Sequence, residues 1–82
     1  MPAVKIHDIK ILPEYFKDVK AGRKRFEIRI DDRNYQINDT VRLHEYDGKQ
    51  FTGDYVDVKI IYILRNCEKY GLMNGYCILA GN

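Results

Sequence analysis

The stretch KAGRKRFEIR, residues 20–29, marks a change from a helical pattern of residues to an alternating one. Before it, apolar residues recur at the spacing of one helical stripe, at Leu12, Tyr15, Phe16 and Val19. Pro13 is favoured at the first position of such a helix, and Gly22 is favoured just past its end. Within its second half, apolar and charged residues begin to alternate, from Phe26 to Ile30, which is typical of a strand. The stretch therefore predicts a helix, a glycine turn and a strand in direct succession.

The remainder of the chain is rich in β-branched and alternating segments. These predict four more strands, at residues 4–12, 41–46, 55–64 and 76–79. Polar, turn-rich segments separate them. The far end of the strand at 55–64 is apolar on both sides, so we expect it to be covered on both faces, as in a small closed or nearly closed barrel. The predicted fold is α+β and mainly β, a barrel of about five strands with one helix after the first strand.

Composition indicates one folded domain over residues 1–82, with 45% hydrophobic residues and only two prolines. A chain of this length builds one core, which buries roughly 60–65% of its unfolded surface. The sequence has no signal-peptide pattern and no apolar run near the roughly 20 residues that span a bilayer. We therefore predict a cytoplasmic protein without a membrane partner. In that compartment Cys67 and Cys77 are expected to be free thiols.

Basic residues concentrate around the opening stretch. The net charge of +2 is too small to imply a partner, but seven of the fourteen basic residues lie within residues 17–33, beside four acids. Glu27 shares a strand face with Arg25 and Arg29. It is either part of a solvated ladder of ion pairs or the floor of a site that holds an anion.

Glu45 is a second unusual carboxylate. Its parity places it on the strand face of Val41 and Leu43, where an unpaired charge is costly. One interpretation pairs it with Arg29 or Arg33 inside a polar pocket. The other lets its side chain reach solvent at the mouth of the barrel.

Other polar and aromatic residues point to less specific roles. Tyr15 and Tyr62 fall on apolar stripes and are expected in the core, whereas loop tyrosines could stack on exposed bases, namely Tyr35, Tyr46 and Tyr70. His7 and His44 show no metal-ligand spacing, and a structural or surface role is predicted for each. No phosphate-binding glycine loop, nucleophile elbow or zinc signature is present, so neither a metal nor a cofactor is predicted.

The central motif resembles a known signature. Gly22, Lys24, Glu27 and Arg29 stand in the pattern G-x-K-x-x-E-x-R, which is similar to that of the ASCH domain within the PUA-like superfamily. The similarity continues through Asp32-Arg33, Tyr35, Asp39, Leu43 and Glu45-Tyr46. This longer string resembles a small bacterial and phage branch of PUA-like domains of unknown function.

The resemblance implies a small β-barrel with flanking helices and a cleft where the motif side chains meet. It also implies an association with RNA, as a binding module or as an enzyme acting on RNA or modified nucleosides. In ASCH amidohydrolases that deacetylate acetylated cytidine, a Thr three places after the motif Lys is the nucleophile, and Glu27 stands at that place here. Arg25 stands where many proteins that carry this signature have a small or hydroxyl residue. Asn38 stands where the bacterial and phage branch commonly has a glycine.

The leading hypothesis is a non-catalytic or weakly catalytic module that binds RNA or a nucleotide. Its predicted ligand-binding residues are Lys24, Glu27, Arg29, Arg25, Arg33 and Tyr46. A second hypothesis is a small hydrolase acting on RNA or modified nucleosides, with Lys24, Glu27 and Glu45 as catalytic groups. A third is a protein-interaction adaptor that uses exposed aromatic residues such as Phe51 and Tyr55.

Overall fold

The computed structural model describes residues 4–81, which contain five strands, one α-helix and one short 3-10 helix. In chain order these are β1 (Ile6–Ile11), α1 (Pro13–Lys20), β2 (Phe26–Ile30), β3 (Thr40–Tyr46), β4 (Phe51–Leu64), the 3-10 helix (Cys67–Tyr70) and β5 (Tyr76–Gly81). The predicted α+β, mainly β class is confirmed, as is the α-helix after the first strand. Within residues 4–81, no helix has the length and apolar character needed to cross a membrane.

The five strands form one mixed sheet in the order β1-β3-β4-β5-β2. The β1–β3 pair is parallel, and the other three pairs are antiparallel. Strands β1 and β2 therefore lie at the two ends of the sheet, and no backbone ladder joins them within residues 4–81. The expectation of a closed or nearly closed barrel is wrong in this respect, because an open edge remains on each of these strands.

Helix α1 ends in a glycine motif that sets the direction of the following chain. Gly22 has φ +80°, its N–H donates to the Val19 carbonyl at 3.0 Å, and the Arg23 N–H donates to the Asp18 carbonyl at 2.9 Å. These two bonds are those of a Schellman motif, which requires a left-handed residue just past the helix end. The Lys24 N–H also donates to the Asp18 carbonyl, at 3.1 Å. The glycine turn therefore holds the motif lysine directly against the end of the helix.

Only part of the helical stripe reaches the core. Phe16 and Val19 are buried at 4% and 9% exposure, whereas Leu12 and Tyr15 are 45% and 46% exposed. The core also contains residues from four strands and one loop, namely Ile9, Ile11, Tyr35, Val41, Leu43, Ile60, Cys77 and Leu79. The prediction of Tyr15 as a core residue is therefore wrong, because the helix turns that part of its stripe away from the sheet.

A bulge in β4 explains the segment that is apolar on both sides. Ile60 pairs with Gly81 and Tyr62 with Ala80, so Ile61 is an extra residue and the inward positions change parity there. Ile60 is buried and Ile63 packs on the core, but Ile61 and Tyr62 are 48% and 61% exposed. We expected the far end of this strand to be covered on both faces and Tyr62 to lie in the core. Both predictions are therefore wrong.

Strand β2 turns its charged residues inward. Glu27 and Arg29 pair with the buried Leu79 and Cys77 of β5, and residues directly opposite each other share a sheet face. The apolar residues of β2 lie on the outer face and are 47–52% exposed, namely Phe26, Ile28 and Ile30. The interior of the sheet is therefore polar along this edge, and the charged motif lies beside the core.

Candidate functional site

A cleft of about 610 Å³ lies between the end of β1 and strand β2. Apolar and aromatic side chains form much of its lining, namely Ile11, Leu12, Tyr15, Phe26, Ile28 and Tyr46. Four charged residues complete it: Lys10, Lys24, Glu27 and Arg29. The gap between the facing edges of β1 and β2, which this cleft occupies in part, is called the seam below.

Glu27 holds two motif cations together in the cleft. Lys24 Nζ donates to Glu27 Oε1 and also to the Phe26 carbonyl at 2.7 Å. The Arg29 guanidinium lies 3.1 Å from Glu27 Oε2 through its terminal nitrogen and 3.2 Å through Nε. The side chains of Lys24, Glu27 and Arg29 are 16%, 13% and 26% exposed. Lys24 and Glu27 are three positions apart and would lie on opposite faces of a regular strand. Lys24 reaches the carboxylate because it lies in the turn before β2, where side chains do not alternate.

Arginine side chains span the seam where backbone bonds would close a barrel. The Arg29 terminal nitrogen donates to the Lys10 carbonyl at 2.8 Å, and Arg33 donates to the Asp8 carbonyl at 3.1 Å. These are alternate carbonyls on the free edge of β1. Charged groups thus cap this edge, which is a common protection against unwanted strand pairing.

A second hollow, of about 360 Å³, continues along the seam. It shares Ile28 and Arg29 with the first cleft. Its remaining lining is Ile9, Ile30, Asp32, Arg33, Tyr35 and Tyr76. The two hollows therefore meet at Arg29.

Aromatic rings and cations are interleaved around the first cleft. Lys24 Nζ lies 4.8 Å from the ring centre of Phe26 and 5.7 Å from that of Tyr15. Lys10 Nζ lies 4.9 Å from the ring centre of Tyr46. Each distance lies within the range of a cation–π contact. The cleft thus presents flat apolar surfaces directly beside positive charge.

A protein-family model described as "Domain of unknown function (DUF3850)" matches residues 6–80. The chain belongs to the DUF3850 family. An Escherichia phage P2 protein described as "Uncharacterized 12.9 kDa protein in GpA 3'region" is 46% identical to it over 56 residues. That match covers 68% of this chain and 51% of the phage protein, so the match spans about half the length of this relative. The resemblance to ASCH and PUA-like domains stays a prediction.

Glu45 does not join the motif in this DUF3850 domain. Its carboxylate accepts a hydrogen bond from the Thr52 hydroxyl at 2.7 Å, and it does not line the cleft. The register of β3 with β4 shifts between His44 and Tyr46, which brings Thr52 beside it. Of the two interpretations of Glu45, the pairing with Arg29 or Arg33 is therefore wrong, and the half-buried side chain lies near the strand end.

Two other predicted residues lie apart from the first cleft. Arg25 is exposed and donates through Nε to the Gly22 carbonyl at 3.0 Å. Arg33 lines the second hollow and not the first. Of the six predicted ligand-binding residues, the first cleft thus brings together Lys24, Glu27, Arg29 and Tyr46.

Lys10 and Tyr15 line the cleft although neither was among the predicted site residues. Tyr15 carries no local signal for this, because its spacing is that of an ordinary core-facing helical stripe. Lys10 carries no such signal, since its position depends on the pairing of β1 with β3.

Tyr35 and Asp39 form a buried cluster with His7. Tyr35 is only 1% exposed, so its predicted role as a surface stacking platform is wrong. Its ring centre lies 4.7 Å from that of His7, whose Nε2 lies 2.8 Å from Asp39 Oδ2. Burial favours the protonated acid, but hydrogen bonds from His7 and from the backbone N–H groups of Lys5 and Gln36 outweigh it and lower the pKa of Asp39.

The remaining predicted residues lie on the surface. Phe51 and Tyr55 are 58% and 53% exposed, and both lie near His44, with ring centres 6.1 and 5.7 Å away. The adaptor hypothesis that named them stays a prediction. In the described residues 4–81, no group of three or more His, Cys, Asp or Glu is placed to hold a metal ion.

Proposed function

We propose that this domain is a PUA-like module that binds RNA or a nucleotide in the first cleft. Lys24 and Arg29 contact anionic or carbonyl oxygens of the ligand, and Glu27 orients both cations. The observation that carries the proposal is the contact of Glu27 with both motif cations at one end of an aromatic cleft.

The size and lining of the cleft suit a nucleoside. Small-molecule sites usually measure about 300–1,000 Å³, are mainly apolar and carry a few placed polar groups. The cleft of about 610 Å³ lies within that range. Tyr15, Phe26 and Tyr46 offer faces on which a base can stack, an interaction that every base can make.

The balance of charge favours an anion. Three cations and one carboxylate line the cleft, namely Lys10, Lys24, Arg29 and Glu27. Because Glu27 engages Lys24 and Arg29 without neutralising all three cations, positive charge remains for a phosphate. Binding should therefore weaken steeply as salt rises.

Affinity for short RNA and for single nucleotides, measured against salt concentration, tests the proposal. Lys24→Ala should weaken binding and reduce the slope of log affinity against log salt by about one. Lys59→Ala, which removes an exposed lysine of β4, is the matched control and should bind as the wild type does. Absence of binding to any RNA or nucleotide tested, or binding that is independent of salt, would contradict the proposal.

A second candidate function is a hydrolase acting on RNA or a modified nucleoside. The direct contact of Lys24 with Glu27, both largely buried, is the observation that favours it. General acid–base catalysis needs two such groups at a cleft that accepts the substrate. Product from labelled RNA or acetylated nucleosides that disappears with Glu27→Gln would support this function, and a panel left unchanged by the wild type would eliminate it. Glu45 lies outside the cleft and takes no part in this candidate.

A further inference from the structure

The two hollows form one groove along the seam. They share Ile28 and Arg29, and both are bounded by β1 on one side and β2 on the other. The five residues of β2 are separated by four steps of about 3.3 Å each, so the groove follows about 13 Å of extended chain. Aromatic lining occurs at both ends, with Tyr46 at the first and Tyr76 at the second.

We propose that the second hollow is a subsite for a second nucleotide, so that the ligand is single-stranded RNA of two or more nucleotides. The phosphodiester lies between Arg29 and Arg33, and the second base lies against Tyr76. This inference rests on the proposed function, since it extends the ligand of the first cleft.

The arginines are placed to bind a bridging phosphate. Arg29 lies at the junction of the two hollows, and Arg33 lines the second. One terminal nitrogen of Arg33 donates to the Asp8 carbonyl, which leaves its other N–H groups for a ligand. Asp32 lies 4.0 Å from Arg33 Nε, and both side chains are about half exposed or more, so this ion pair is weak and easily displaced.

The second hollow also offers a surface for a base. Tyr76 is half-buried, and Ile9 and Ile30 provide apolar walls beside it. Tyr35 lies fully buried in the same lining and supports the hollow from beneath. Stacking of a base on an aromatic side chain is worth about 1–3 kcal/mol and tolerates any sequence.

An extended peptide fits the seam less well than RNA does. A peptide that added as a strand to β1 would need the edge carbonyls of that strand. Those of Asp8 and Lys10 already accept hydrogen bonds from Arg33 and Arg29. A peptide would have to displace two charge-assisted bonds, whereas a phosphate can join the same guanidinium groups.

The test compares affinities for a labelled mononucleotide and for the dinucleotide and tetranucleotide that extend it, all at one salt concentration. The wild type should bind the dinucleotide at least tenfold more tightly than the mononucleotide. Arg33→Gln should remove most of that gain and leave mononucleotide affinity unchanged, and Arg33→Lys should retain part of it. Arg42→Gln, which alters an arginine that is paired with Asp57 and lines neither hollow, is the control and should keep the full gain.

Equal wild-type affinities for the mononucleotide and dinucleotide would overturn the second subsite while leaving the proposed function standing. An equal loss of both affinities in Arg33→Gln would also overturn it, because Arg33 would then act on the first cleft or on folding. If no nucleotide of any length binds, the proposed function fails and the subsite fails with it. If an extended acidic peptide binds more tightly than the tetranucleotide at the same salt concentration, the proposal that the ligand is RNA is wrong.

Discussion

Glu27 keeps two cations close together beside the core, so its negative charge should stabilise the fold. Its carboxylate contacts Lys24 and Arg29, and its side chain is 13% exposed. Glu27→Gln keeps the shape and removes the charge, so the cations would repel each other without a counter-ion. We expect the free energy of unfolding to fall by about 1–3 kcal/mol.

Urea unfolding with and without phosphate measures this effect. Added phosphate should stabilise Glu27→Gln more than the wild type, because the anion replaces the missing carboxylate. Glu68→Gln, which alters an exposed carboxylate of the 3-10 helix, should change neither stability nor the phosphate effect. An identical phosphate effect on Glu27→Gln and wild type would show that phosphate does not take the place of the Glu27 carboxylate.

Asp39 links pH to stability. Hydrogen bonds from His7, Lys5 and Gln36 outweigh burial and hold the pKa of Asp39 below its ordinary value of 3.8. The unfolded chain therefore binds the proton more readily, and stability present above pH 3.8 is lost as the pH falls through the lower folded pKa. We expect Asp39→Asn to lower the free energy of unfolding at pH 7 by about 1–3 kcal/mol.

Unfolding free energies from pH 7 down to pH 2 test this link. The acid-induced loss should be smaller in Asp39→Asn than in the wild type, because the variant lacks the titrating carboxylate. Asp54→Asn, at an exposed position of β4, should retain the wild-type profile. Parallel profiles for Asp39→Asn and wild type would mean that other carboxylates dominate acid unfolding.

At the scale of elements, the turn between α1 and β2 places the motif lysine. Gly22 has φ +80°, so Gly22→Ala should cost about 1 kcal/mol of stability and shift Lys24 relative to the cleft. Gly48 has φ +99° in the β3–β4 loop and makes Gly48→Ala a control with similar backbone strain. Both variants should lose similar stability, but only Gly22→Ala should also weaken nucleotide binding. Equal nucleotide binding by the two variants would show that the conformation of the Gly22 turn does not determine the position of Lys24 in the cleft.

Elements with strong local signals could be predicted from the sequence. Pro13 and Gly22 mark the helix, and alternation from Phe26 to Ile30 marks β2 with its observed bounds. The strand at 55–64 was predicted without its bulge, because an extra residue at Ile61 changes no local propensity. Periodicity also left open which face of β2 is buried, since that depends on its pairing with β5.

For the whole molecule, both cysteines report on global unfolding. Cys67 and Cys77 are free and only 1% and 0% exposed. Burial raises the pKa of Cys77 to about 11, so at pH 8 its thiol is protonated as well as shielded. We expect iodoacetamide to leave Cys77 unmodified at pH 8 in the folded protein and to alkylate it in guanidinium chloride, as measured by mass spectrometry. Rapid alkylation of the folded protein would indicate that the β5 region opens locally.

The pKa of Cys77 also gives the direction of an alkaline effect. Because the folded value is above the ordinary 9.0, its contribution to stability is complete below about pH 9 and is lost as the pH rises towards 11. Cys77→Ala should flatten this alkaline decline relative to the wild type. If stability declines equally in Cys77→Ala and the wild type at alkaline pH, other groups cause the decline.

Local sequence alone determined the α+β class, the helix bounded by Pro13 and Gly22, and the shared strand face of Glu27 and Arg29, because these depend on residues a few positions apart. Tertiary structure decided the open seam, the contribution of Lys10 to the cleft and the position of Glu45. Each of these depends on which strands pair and in what register, through contacts between residues far apart in the chain. Periodicity specifies the faces of an element but not its neighbour, so only the assembled sheet could place the two hollows along one groove.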